Sequence, residues 1–242
     1  MNNDNSTLIL NDAGGYYWYS IEDVAVLMAR IREKYLGNMT MSQYEISTSG
    51  IFLSVPLNYD DSNTKLENDF KTIAERIIKA DIPGAALPTA LIFPTIIGRN
   101  HWTVNVVCIN YEEKIMYILK DDPFGGKDAN KIPDRMIRYI ENTGERLIDR
   151  HYEKNHMNND YLVTNMLLTK KKPQQFDGWN CGPIIVSNIK DYINCFKKHE
   201  NKFKCIESIK YTFNINKIQT IRENDIENYK EIIKDYNEFT YS

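Results

Sequence analysis

Between Trp18 and Tyr35 the apolar residues Ile21, Val24, Leu27, Met28 and Ile31 recur at helical spacing, which predicts an amphipathic helix with one buried face. Ser20 and Asp23 sit ahead of that face as a capping box, a hydroxyl and a carboxylate available to the orphan amides of a helix start. Further helices are predicted over Leu66 to Lys79, Asp134 to Ile148, Cys181 to Phe196 and Ile221 to Tyr236. Strand patterns are shorter. Ile51 to Val55 is one, and Ala90 to Phe93 is a second, ending before a loop with Pro94 and Gly98. His101 to Ile109 and Lys114 to Leu119 are two β-branched runs joined by the polar turn Asn110 to Glu113, so they are expected to pair antiparallel. Tyr161 to Thr169 completes the set, and residues 149–160 read as a polar connector. Helices around one central sheet predict an α+β domain.

The chain has 242 residues, enough for one large domain or two small ones, and no internal repeat or long linker divides it. A net charge of −3 lacks the basic footprint of a nucleic-acid binder. The longest apolar candidate, Ala85 to Ile97, is broken by Pro88 and Pro94 and falls short of the ~18 residues of a membrane span. Met1 to Thr7 is polar and carries no secretory apolar region. The four cysteines, Cys108, Cys181, Cys195 and Cys205, form no C-x-x-C pair. The expectation is a reducing, cytosolic compartment, no metal, no cofactor and at most one functional thiol.

A cysteine nucleophile needs a base, an orienting acid for that base and donors for an oxyanion. Cys181 follows a Gly-containing loop and opens a helix, where free amides and the helix dipole favour an anion. Cys108 within a strand and Cys195 within a helix read as small core residues, and Cys205 has no distinguishing context. Of four histidines, His151, His156 and His199 lie in polar surroundings. His101 stands at the mouth of a strand, and antiparallel pairing brings the Asp121-Asp122 end of the next strand beside it. An acid there holds the imidazole in the tautomer a base requires. Each feature also has an ordinary structural explanation: a packed thiol, a strand-end histidine, an Asp pair in a turn. The run Lys170-Lys171-Lys172 reads as a solvated face.

Taken in order, His101-Trp102, Asp122-Pro123-Phe124-Gly125 and Pro173-Gln174-Gln175-x-x-Gly178-x-x-Cys181-Gly182 resemble the CE clan of cysteine peptidases. That clan includes adenain, the Ulp1-like SUMO proteases and the bacterial effector deubiquitinases and acetyltransferases. Trp18-Tyr19-Ser20-x-x-Asp23-Val24, Ile92-Phe93-Pro94 and Ile221-Arg222 extend the likeness over most of residues 15–235. The resemblance implies a papain-like, adenain-like fold: a central mixed sheet flanked by helices, with the nucleophile at a helix N-terminus. It also implies one peptidase domain over 15–242, an unstructured segment at 1–14, and a variable substrate-recognition region at 37–88.

Carried over by position, Cys181 is the nucleophile, His101 its base and Asp122 the acid, with Asp121 as rival. Gln175 donates to the oxyanion beside the Cys181 amide. Trp18 and Trp102 wall a narrow slot for a substrate Gly-Gly, with core packing as the alternative for both. Asn180 stands where Asp is frequent in the clan, Asp177 where Asn is, and Trp179 at a small or polar position. The implied activity is a monomeric isopeptidase acting on ubiquitin or a ubiquitin-like modifier, most like a bacterial effector delivered into host cytoplasm. A YopJ-like acetyltransferase, a SUMO- or NEDD8-specific protease and a decayed binding module are the alternatives.

Overall fold

The structure is a computed structural model that describes residues 17–37, 46–59, 64–79, 87–98, 101–125, 133–155, 164–169, 174–175 and 177–240. The expectations for residues 1–14, Tyr161 to Val163 and Lys170-Lys171-Lys172 lie outside the described residues, as does part of 37–88.

Among the described residues six strands form one mixed sheet: β1 (Ile51–Leu53), β2 (Leu57–Tyr59), β3 (Ala90–Ile97), β4 (His101–Asn110), β5 (Ile115–Asp121) and β6 (Thr164–Thr169). The order is β1-β3-β4-β5-β6, with β2 following β1 along the same edge of β3. β3, β4 and β5 are antiparallel neighbours, while β1, β2 and β6 pair in parallel. The helices are α1 (Ile21–Ile31), α2 (Thr64–Lys79), α3 (Asp134–Lys154), α4 (Cys181–Lys198), α5 (Lys202–Ser208) and α6 (Ile218–Thr240).

Both faces of the sheet are covered, which is why β3 and β4 read as near-continuous apolar runs. Trp102, Val104, Val106 and Cys108 of β4 pack on one side with Leu27 and Met28 of α1 and Ile185 and Ile189 of α4. Val107 and Ile109 face the other side with Phe70 and Ile73 of α2 and Met136 and Ile140 of α3.

The capping box of α1 is formed as expected: the Asp23 amide donates to Ser20 Oγ and the Ser20 amide to Asp23 Oδ2. β3 departs from expectation by running through Pro94 to Ile97. Ile109 donates its amide to Thr89 and Ser54 its amide to Ile92, so even-numbered residues of β3 turn their main chain toward the β1–β2 edge. Pro94 falls between the rung Leu53–Ile92 and the rung Leu57–Thr95, where the missing N–H costs no ladder bond. α3 continues to Lys154, into the stretch read as connector. β2 and α5, three and seven residues long, were not anticipated. Nor was a bond between cysteines: Cys195 of α4 is joined to Cys205 of α5, their Cα atoms 6.0 Å apart across the turn between the helices. Cys195 is therefore one half of a pair, not a lone core residue. Among the described residues no helix is long and apolar enough to cross a membrane.

Candidate active site

The site forms where β4 begins, β5 ends and α4 begins. The β4–β5 register closes at Val104 opposite Asp121, so Asp122, one residue on, arrives beside His101. Asp122 Oδ2 lies 3.0 Å from His101 Nε2. Its Oδ1 accepts the Phe124 amide and its carbonyl accepts the Gly125 amide, in a turn that requires φ of +62° at Gly125. Asp121 points the other way, into the core, where its Oδ2 accepts from Asn188 Nδ2 and the Tyr192 hydroxyl of α4. Between the rival acids, Asp122 is the one at the imidazole.

Cys181 is the first residue of α4, is buried, and sits close enough to His101 to help raise the imidazole pKa. With Nε2 engaged by Asp122, Nδ1 is the ring nitrogen left for the thiol. Gly182 explains the close seating of this helix start: a Cβ there would lie 2.8 Å from Tyr19 Cβ. The loop before Cys181 is tied to the acid's turn, because the Gln174 and Gln175 amides both donate to the Pro123 carbonyl.

Asp177 organises that loop. Its Oδ1 accepts the Trp179 and Asn180 amides, and its Oδ2 accepts Asn180 Nδ2. Asn180 Oδ1 in turn accepts from Arg222 Nε and Nη2 of α6, and Nη2 also donates to the carbonyl of Tyr17. Arg222 is fully buried over the Tyr19 ring. One guanidinium thus joins the last helix, the loop before Cys181 and the segment carrying Trp18.

The electrostatics follow from these contacts. Burial alone would lower the His101 pKa, but the hydrogen bonds and charges of Asp122 and Cys181 outweigh it and raise it from 6.5 to about 9. For Asp177 burial works upward, yet the donors from Asn180, Trp179 and Gln175 hold the carboxyl below its ordinary range. Among the described residues no cluster of His, Cys, Asp and Glu could hold a metal ion.

The structure brings His101, Asp122 and Cys181 together and places Gln175 in the adjoining loop. The Gln175 side chain is buried, and its Nε2 contacts both run to Asp177, at 2.7 Å to the carbonyl and 3.4 Å to Oδ1. Its Oε1 meets no partner among the described residues. Trp18 is 39% exposed ahead of α1. Trp102 corrects the expectation of a slot wall: it is 1% exposed, packs in the core, and donates its indole N–H to the Tyr19 carbonyl at 2.7 Å. No ring face is left for a substrate, so Trp102 takes the core-packing alternative. Asp177, Arg222 and Phe124 were not singled out for the site. Arg222 had two signals, its place in the Ile221-Arg222 pair of the resemblance and its being a scarce arginine in a lysine-rich chain.

No protein-family model and no curated protein matches the chain. Solved structures do. A de-sumoylating protease superposes with a TM-score of 0.57 at 16% identity, over 96% of this chain and 88% of its own. The SUMO protease Ulp1 gives 0.51 at 14% identity, over 95% and 86%. The Legionella pneumophila effector RavZ gives 0.51 at 13% identity, over 90% of this chain and 66% of its own. The sheet and its flanking helices are thus those of the Ulp1-like protease fold, which is the fold the sequence motifs resemble.

Proposed function

We propose that this protein is a thiol isopeptidase that cleaves ubiquitin or a ubiquitin-like modifier after its C-terminal Gly-Gly. The supporting observation is the line of contacts from Asp122 through His101 to Cys181 at the start of a helix. In the proposed reaction His101 accepts the thiol proton and Cys181 Sγ attacks the scissile carbonyl carbon. The oxyanion is held by main-chain amides of the α4 start, joined by Gln175 once its side-chain amide releases the longer Asp177 contact. The C–N bond then breaks, and His101 returns the proton to the leaving lysine nitrogen, leaving a thioester. Water, deprotonated by His101, attacks that thioester and frees the modifier carboxylate and the thiol. Trp18 lines the path of the modifier tail, and residues 37–88 contribute modifier recognition. The likeness to RavZ supports the further reading of a bacterial effector working in host cytoplasm.

Incubation with ubiquitin, SUMO and NEDD8 carrying C-terminal electrophiles tests the proposal. A mass shift that disappears in Cys181→Ala is expected. Labelling by none of them, with acetyl-CoA acetylating Cys181 instead, would replace hydrolysis by acetyl transfer.

A further inference from the structure

Three large apolar side chains are exposed among the described residues: Trp18, Phe124 and Met166. Phe124 lies against the His–Asp pair. Phe124 is 37% exposed, and its ring centroid lies 5.1 Å from that of His101 at an interplanar angle of 31°. This placement is built in. The turn that ends β5, closed by the Gly125 amide on the Asp122 carbonyl, carries Phe124 to the imidazole. The Phe124 amide is also bound to Asp122 Oδ1, so the acid's own turn fixes the ring. The ring therefore borders the space that any group reaching the imidazole must occupy.

The chemistry of the leaving group says which part of the substrate meets it. His101 delivers a proton to the departing lysine nitrogen, so that nitrogen must come within about 3 Å of the imidazole. The methylenes of that lysine then run past whatever flanks the ring, and Phe124 flanks it. Trp18 belongs to a different segment, the one packed against Gly182 through Tyr19.

We propose that Phe124 is a specificity-determining residue that contacts the leaving-group lysine, leaving the modifier tail to other residues. The proposal rests on the isopeptidase reading. It predicts discrimination by leaving group: an aromatic shelf favours an amide of a lysine side chain over an acyl donor with nothing to lay on it. Phe124→Ala keeps the main-chain bond to Asp122 and removes only the ring, and Phe124→Leu keeps an apolar side chain.

The test compares two substrates with the same acyl group, using whichever of ubiquitin, SUMO or NEDD8 the unaltered protein accepts. One is the modifier isopeptide-linked to a lysine peptide, the other the modifier ethyl ester. Phe124→Ala is expected to lower kcat/KM about tenfold on the isopeptide, Phe124→Leu less, with ester cleavage and electrophile labelling held within about twofold. Equal losses on both substrates would overturn the proposal and make Phe124 a support for His101. No loss on the isopeptide would overturn it outright. An unaltered protein that cleaves neither substrate and takes no electrophile would overturn the isopeptidase reading, and this one with it.

Discussion

Asp121 and Asp122 are adjacent in sequence and face opposite ways: Asp122 reaches His101 Nε2 at 3.0 Å, while Asp121 reaches Tyr192 and Asn188 of α4. Strand alternation separates them, so one carboxylate orients the imidazole and its neighbour braces the helix that carries Cys181. Asp122→Asn is expected to lower kcat/KM by about 10²–10⁴, far beyond what its loss of stability accounts for, because the imidazole loses its orienting acceptor. Asp121→Asn is expected to cost about 1–3 kcal/mol of stability by mispairing buried donors, while retaining turnover. Rate assays and thermal unfolding on the two variants check both; a swap of the two phenotypes would reverse the assignment.

The raised pKa of His101 gives stability a definite pH dependence. A group whose folded pKa lies above its unfolded 6.5 contributes its full stabilisation below that value and loses it as pH climbs through about 9. Denaturant midpoints are therefore expected to fall between pH 6 and pH 9.5, on the order of 2 kcal/mol from this residue. Asp122→Asn removes a main cause of the shift, so its midpoint should fall less over the same window. A parallel fall in both proteins would place the titration elsewhere.

Trp18 and Trp102 are expected to behave differently on substitution. Trp18→Ala strips an exposed ring, so stability is expected to move by no more than about 0.5 kcal/mol while labelling by a modifier electrophile slows. Trp102→Phe removes the N–H bound to the Tyr19 carbonyl and leaves core volume unfilled, an expected loss of about 1–3 kcal/mol. Thermal melts and labelling rates measured together distinguish the roles.

What could be read from the sequence was what is local. α1 announces itself by a capping box and a repeating apolar face, and Cys181 by the Gly-containing loop ahead of a long helix. His101 and Asp122 become neighbours through one hairpin, whose two β-branched runs are plain. Asp121 could not be told from Asp122 without the register, since the choice rests on a one-residue alternation. β2 and α5 are too short to carry a period, and Pro94 looked like an end because the gap between β1 and β2 is a tertiary fact. Trp102 has no local mark of burial. The Arg222–Asn180 tie spans 42 residues and appears only once α6 lies on α4.

That tie carries its own expectation. Arg222→Gln leaves Asn180 Oδ1 and the Tyr17 carbonyl short of a buried donor, at an expected cost of about 3 kcal/mol or more. Asn180→Asp sets a carboxylate against the same guanidinium but replaces the donor to Asp177 Oδ2 with a second carboxylate, so it is expected to cost some stability by itself. Combined with Arg222→Gln it should do worse than either change alone, because the new carboxylate is then buried unpaired. Unfolding midpoints for the four proteins of this cycle decide it, and additive losses would mean that the two residues do not interact.

Gly182 is the most exacting position beside Cys181. Its absent Cβ admits Tyr19, whose Cβ, Cγ and Cδ2 would lie 2.8–3.1 Å from an added methyl. Tyr19 has little room to yield: its carbonyl holds the Trp102 indole, its hydroxyl donates to Asp225, and Arg222 covers its ring. Gly182→Ala must therefore displace either the Trp18–Tyr19 segment or the first turn of α4. The change is expected to cost about 1–3 kcal/mol. Cys181 is carried on the turn that moves, so electrophile labelling should slow more than the fraction of unfolded protein accounts for. Tyr19→Gly in the same protein clears all three obstructing atoms, the Cβ included, and should restore part of the labelling rate despite its own loss of packing; no recovery would show that the two residues do not compete for that space.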